Sequence, residues 1–255
     1  MIERAATAAV RDVLRNPAIR RIEVAWTLGI AADWAFLVIL LVVAYDEGGT
    51  LAVGILGAVR VIPAIVAAPF ASTLVERFRG DRVLTAINVV RCGGALATAA
   101  VLAIGPPVEV TYVLAAVVAG AGALVRPIQL ALLPALARTP GELVAANVAG
   151  SMGEGLGTFI GPLVAGILVG TTGSVSSSVL VAATFGGAAA AATGVRFERD
   201  TDARGGLAAG DRRFRLAEAP AVLRRYPHAT LIMGDFVAQI FVRGMLITLI
   251  VVASI

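Results

Sequence analysis

Seven charged side chains sit inside stretches that are otherwise apolar: the acids Asp33, Glu154 and Asp235, and the bases Arg60, Arg91, Arg126 and Arg243. A charge at mid-bilayer costs roughly 2.5–3.5 kcal/mol on insertion scales, so such groups face protein or a water-filled cavity. A buried acid there can exchange a proton, and a buried guanidinium can hold an anionic or polar ligand. The competing role for each is a permanent ion pair that only holds helices together. Other chemistries are missing from the residue inventory. His228 is the only histidine, which disfavours a metal site, and Cys92 lies alone in an apolar run as a packing residue. Neither a His-Glu-x-x-His metal motif nor a Gly-x-Ser-x-Gly nucleophile elbow is present, so no enzyme and no cofactor is expected.

These charges must be positioned by membrane helices. With Gly counted and Tyr left out, about 68% of the 255 residues are apolar, against 45–50% in soluble domains. Cutting the chain at its charge and turn clusters leaves seven segments long enough to cross a bilayer, at about 24–45, 51–75, 83–104, 110–136, 143–170, 175–195 and 229–254. The uncharged stretch from Gly155 to Val195 is too long for one crossing, and the Thr171–Ser178 cluster supplies its turn. The expected organisation is a cytoplasmic segment 1–22, with residues 2–15 patterned as a helix lying on the membrane surface up to Asn16-Pro17. A six-helix half follows at 23–195, then a basic loop at 196–228 and a seventh helix at 229–255.

The chain has a pI near 10.2, and the position of its basic residues decides what that means. All 21 are Arg, and 17 of them fall on alternate connections while the other connections carry none. This places the N-terminus and the loop 196–228 in the cytoplasm, disfavours nucleic acid as a partner, and excludes insertion of the same chain both ways up. Arg without Lys, with abundant Ala, hints at a bacterial source. The loop's Asp211–Leu216 and Val222–Tyr226 interleave Arg with apolar residues, as a surface helix on anionic lipid does; a flexible solvated linker is the alternative.

Four sequence elements resemble the major facilitator superfamily, in that family's order. Between the second and third segments, Ser72-Thr73-Leu74-Val75-Glu76-Arg77-Phe78-Arg79-Gly80-Asp81-Arg82 resembles the superfamily's Gly-x-Leu-Ala-Asp-Arg-x-Gly-Arg-Arg signature, with Ser72 for its first Gly, Glu76 for its acid, and the second Gly shifted. There Glu76, Arg77, Arg79, Asp81 and Arg82 would form a gating loop; a plain positive-inside loop is the alternative. Asp33-Trp34 resembles the efflux branch's Gly-Asp-Trp element, and Arg126–Pro134 with Glu142–Asn147 resembles the end of its fourth helix and the start of its fifth. Gly157-Thr158-Phe159-Ile160-Gly161-Pro162 resembles the fifth-helix motif of its drug/proton antiporters. Gly153, Gly157 and Gly161 recur every four residues as a flat face, Gly166 follows, and Pro162 permits a bend.

The resemblance spans about residues 20–255. It implies an all-α polytopic fold: the N-terminal six-helix bundle of two inverted three-helix repeats, plus the first helix of a second half. The chain is then expected to be truncated and to require a C-terminal half. The resemblance implies that the first, fourth and seventh helices line a central path, singling out Asp33, Arg126, Gln129, Asp235, Gln239 and Arg243. Asp33, Glu154 and Asp235 are the candidates for proton coupling. Arg126, Gln129, Gln239 and Arg243 are candidates for the substrate path. Arg60 and Glu154 are expected in lateral structural contacts, and Arg91 is expected to face away from the path as a structural anchor. The implied function is proton-coupled export of small organic compounds across the plasma membrane, with lipid, substrate and protons as partners. A transporter-derived sensor or assembly partner is the alternative.

Overall fold

The structure, a computed structural model, describes residues 15–67, 70–105 and 108–195 together with Leu231, Gly234, Asp235, Ala238, Gln239 and Val242; the side chains of Ser72, Thr73, Val75 and Glu76 fall outside that description. The expected surface helix before Arg15, the loop 196–228 with His228, most of the seventh segment, and Arg243 lie outside the described residues. The chain divides into two units, Met1–Phe197 and Glu198–Ile255.

Every described element is helical: α1 (Pro17–Ala67), α2 (Phe70–Arg77), α3 (Gly80–Ile104), α4 (Val108–Ala123), α5 (Val125–Leu136) and α6 (Pro140–Ala192). At 1.5 Å per residue, α1 and α6 would run about 77 and 80 Å as straight rods, more than twice the ~30 Å hydrocarbon thickness. Each is divided by glycine. Gly48 and Gly49 leave helical torsions, Gly49 at φ 60°, and Gly173 takes φ 81° inside the polar turn expected to split the long apolar stretch. The resulting arms of α1 and α6, with α3 and the α4–α5 pair, correspond to the six membrane-length segments read from hydropathy. The backbone stays helical through Pro162. Pro127 has no N–H to offer Ala123 O, and α4 gives way to α5 there: Leu124 N tightens onto Ala121 O, and α-type bonding resumes with Ile128 N donating to Leu124 O.

Helix one begins at Pro17, earlier than hydropathy placed it. Asn16 Oδ1 accepts from the backbone N–H groups of Ala18 and Ile19, and Pro17 occupies the first helical position, where no donor is needed. The same device opens α6, where Thr139 Oγ1 accepts from Glu142 N at 3.1 Å ahead of Pro140. The Asn16 amide also donates to Leu136 O and to Glu142 Oε2, stitching the start of α1 to the α5–α6 connection. Arg21 reaches Thr193 O at the far end of α6.

Large apolar side chains such as Leu51, Ile62, Ile65, Phe159, Leu163 and Ile167 are exposed on the outside of the bundle. That is the inverse of a soluble protein and fits a lipid or protein neighbour. Two buried clusters fill the interior. One gathers Ile22, Trp26, Leu84, Ile87, Ile128 and Leu132; the other gathers Phe36, Ile39, Leu40, Leu56, Val118 and Phe185. A polar layer of Gly29, Asp33, Asn88 and Arg91 occupies the α1 and α3 residues between them.

Candidate functional site

Asp33 is the hub of that layer. Its Oδ1 accepts from Arg91 at 2.7 Å, and its Oδ2 lies 3.6 Å from Arg60. Arg91 is 3% exposed, donates also to Gly29 O, and lays its guanidinium 4.2 Å from the centroid of the Phe185 ring. Gly29 and Gly122 lie against it: a Cβ at either would sit in ordinary contact with the guanidinium at 3.5 Å, and a longer side chain would claim its space. One carboxylate therefore joins both arms of α1 and α3, and satisfies charges that are costly in a low-dielectric interior.

Arg91 is a structural anchor, as expected of it. It points into the bundle toward Asp33, because a cation in the middle of a crossing takes the nearest carboxylate. Arg60 does make the structural ion pair expected of it. Glu154 also pairs, with Arg126 at 3.4 Å, and both side chains stay partly open, at 45% and 41%. The Arg126 guanidinium lies 4.8 Å from the Trp26 ring centroid, so the cation is held between a carboxylate and an aromatic face. Gln129, a candidate for the substrate path, is 1% exposed and donates its amide to Glu23.

Glu23 is the acid that hydropathy missed. It sits one residue before the apolar run, beside Arg20 and Arg21, so it read as cytoplasmic. The cap signature Asn16-Pro17 could have found it, because in a helix starting there Glu23 completes the second turn. It is 6% exposed.

The glycine face meets the first arm of α1. A Cβ at Gly157 would come within 2.9 Å of Ala31 N. At Gly161 it would collide with Ala31 O and approach Trp34 Cβ, and at Gly153 it would collide with Thr27 Oγ1. Gly150 extends the face, since its Cβ would meet Glu23 Oε2 at 3.0 Å, and its carbonyl accepts from the Trp26 indole. Gly166 lies off this face, with nothing within 4 Å of a Cβ there; the helical phase has carried it round toward the outside.

In the α2–α3 connection, read from sequence as a gating loop, the Arg79 guanidinium grips Asp81 through two bonds at 3.2 and 3.3 Å. Arg77 and Arg82 are exposed, and the Glu76 side chain is outside the described residues. Gly80 abuts Leu132 of α5, which explains a glycine at that position. In the second unit, Gln239 donates to Asp235 at 2.8 Å.

Among the described residues no cluster of His, Cys, Asp and Glu could hold a metal ion. The sequence profile described as Major Facilitator Superfamily matches residues 25–255. A search of curated proteins finds no match to the chain.

Proposed function

Because the chain belongs to the Major Facilitator Superfamily, a family of membrane transporters, we propose that it exports small organic compounds across the plasma membrane in exchange for protons, its N-terminus in the cytoplasm. The observation that carries this reading is the Asp33 hub. A single carboxylate holds Arg91 and Arg60 in the middle of an apolar bundle, so a proton arriving there would free two guanidiniums and loosen the first crossing from the second and third. Carboxylate neutralisation thus becomes helix movement, which is what coupling by alternating access requires. Glu154 and Asp235 are the other acids able to take part. Arg126 has a partly open guanidinium and is a contact for a polar or anionic substrate group, as are Gln239 and Arg243. A second six-helix half would cover the exposed apolar faces and complete the cavity.

The test uses inside-out membrane vesicles energised to hold a proton gradient and offered a panel of fluorescent drug-like dyes. Dye uptake that collapses with the gradient is expected from the wild type and absent from Asp33→Asn. Gradient-independent behaviour of the wild type toward the whole panel overturns the export reading. Normal gradient-driven uptake by a folded Asp33→Asn removes Asp33 from coupling.

A further inference from the structure

We propose that Glu23 is a second proton-binding group, and that its protonation clamps the first crossing to the fourth at the cytoplasmic side of the bundle; this rests on the proton-coupled reading above. Glu23 lies ten residues before Asp33, about 15 Å along the helix and therefore in a separate tier. Its carboxylate is enclosed by Gln129 of α5, by the Gly150 backbone of α6, and by its own helix. The four ion pairs formed among the described residues leave Glu23 out, whereas Asp33 takes part in two of them.

The contact itself is half made. Gln129 Nε2 reaches both carboxylate oxygens at 3.3 and 3.4 Å, one donor group spread over two acceptors. Gln129 Oε1 is buried and has no hydrogen-bond partner among the described residues. An ionised carboxylate cannot help that oxygen, since it only accepts. A protonated Glu23 can. Its new O–H donates to Gln129 Oε1 after a small rotation of the amide, while Nε2 donates to the remaining carboxyl oxygen. Two reciprocal hydrogen bonds then close a ring, and the buried orphan of the charged form disappears. The only bond made is the carboxyl O–H, with the proton taken from water and returned to it.

The charged groups around the site fit a proton-dependent clamp. From α5, Arg126 is the cation whose charge Glu23 feels, and that guanidinium is itself held by Glu154 of α6 and stacked on Trp26. Arg20 lies on the same helix, toward the cytoplasm. If Glu154 releases Arg126 to a substrate, the cation that favours ionised Glu23 moves, and the proton balance at Glu23 shifts with it. Substrate and proton would thereby be linked through one guanidinium.

Trp26 is the natural reporter. It is one of two tryptophans, and its indole donates to Gly150 O beside the pair. The experiment replaces Trp34 with Phe, reconstitutes the protein in phosphatidylethanolamine–phosphatidylglycerol vesicles, and follows Trp26 fluorescence against pH. One transition is expected. It should vanish in Glu23→Gln, persist in Glu23→Asp, and shift its midpoint by about one to two pH units in Gln129→Leu, where the amide is lost. Absence of a transition in the parent protein, or its persistence unchanged in Glu23→Gln, overturns the proposal. Glu23→Gln mimics the neutral, clamped acid and should also slow gradient-driven dye export at least tenfold. Wild-type export by that variant overturns the clamp while leaving proton-coupled export standing. A Glu23-dependent transition in a protein that exports no dye overturns the coupled reading and leaves the protonation site standing.

Discussion

Alanine at Gly161 is the sharpest test of how the bundle is held together. A Cβ built there collides with the Ala31 carbonyl oxygen and lies 3.1 Å from Trp34 Cβ; at Gly157 it falls 2.9 Å from Ala31 N and 2.8 Å from Ile30 Cγ2. Favourable carbon contacts begin at about 3.5 Å, so each substitution demands roughly half an ångström or more of separation between α6 and the first arm of α1. Apart from Ile30 Cγ2, the obstructing atoms are main-chain or Cβ atoms, which cannot rotate away as a side-chain end can. Overpacking of this kind costs about 1–3 kcal/mol per site. The two sites share one interface, so Gly157→Ala with Gly161→Ala should fall short of the sum of the single variants, because helices already parted by one methyl accommodate the second. Gly166→Ala is the internal control. Its Cβ meets nothing within 4 Å, and exchanging glycine for alanine inside a helix favours folding by up to about 1 kcal/mol. Thermal unfolding in detergent micelles, read by circular dichroism, should therefore order the variants as Gly166→Ala at or above wild type, Gly157→Ala below it and Gly161→Ala below it. If Gly161→Ala melts with Gly166→Ala, the close packing of these arms is refuted.

Asp33→Asn strands the buried Arg91 guanidinium and should destabilise the bundle by about 3–5 kcal/mol, with Asp33→Asn/Arg91→Gln recovering part of the loss; equal melting of the single and double variants would count against the ion-pair hub. Glu142 lies at the start of α6, where the Arg138 backbone N–H holds its carboxyl below the ordinary carboxylate range; burial opposes this, and the Asn16 amide and the Arg138 charge add to the lowering. Its contribution is therefore full above the unfolded carboxylate pKa and is lost as pH falls through the lower folded value. The stability gap between wild type and Glu142→Gln should close below about pH 4, and a gap that persists in acid would contradict this. In a Cys92→Ala background, an impermeant thiol reagent applied to intact cells should label a cysteine at Glu109 and spare one at Ala203, and the reverse pattern would invert the membrane orientation.

Much of this protein is determined by composition and order along the chain. Apolar run lengths alone require membrane helices, and the turn at Gly173 and the caps at Asn16-Pro17 and Thr139-Pro140 are local events, satisfied by neighbours within a few residues. The glycines at four-residue spacing also declare a flat helix face from sequence, because their periodicity is a property of one helix. What no single helix determines is its rotation about its own axis. These helices are apolar on nearly all sides, so they lack the polar stripe that would reveal which side faces inward. Only packing decides that Arg91 turns toward Asp33, that Arg126 takes Glu154, and that Gly166 falls outside the face formed by Gly157 and Gly161. Glu23 shows the same division most clearly. Its place beside Arg20 and Arg21 marks it as cytoplasmic by sequence, and it becomes a buried, amide-bound acid only because α5 and α6 close over it. Ion-pair identity depends on contacts between residues tens of positions apart, and those contacts exist only once the tertiary fold has formed.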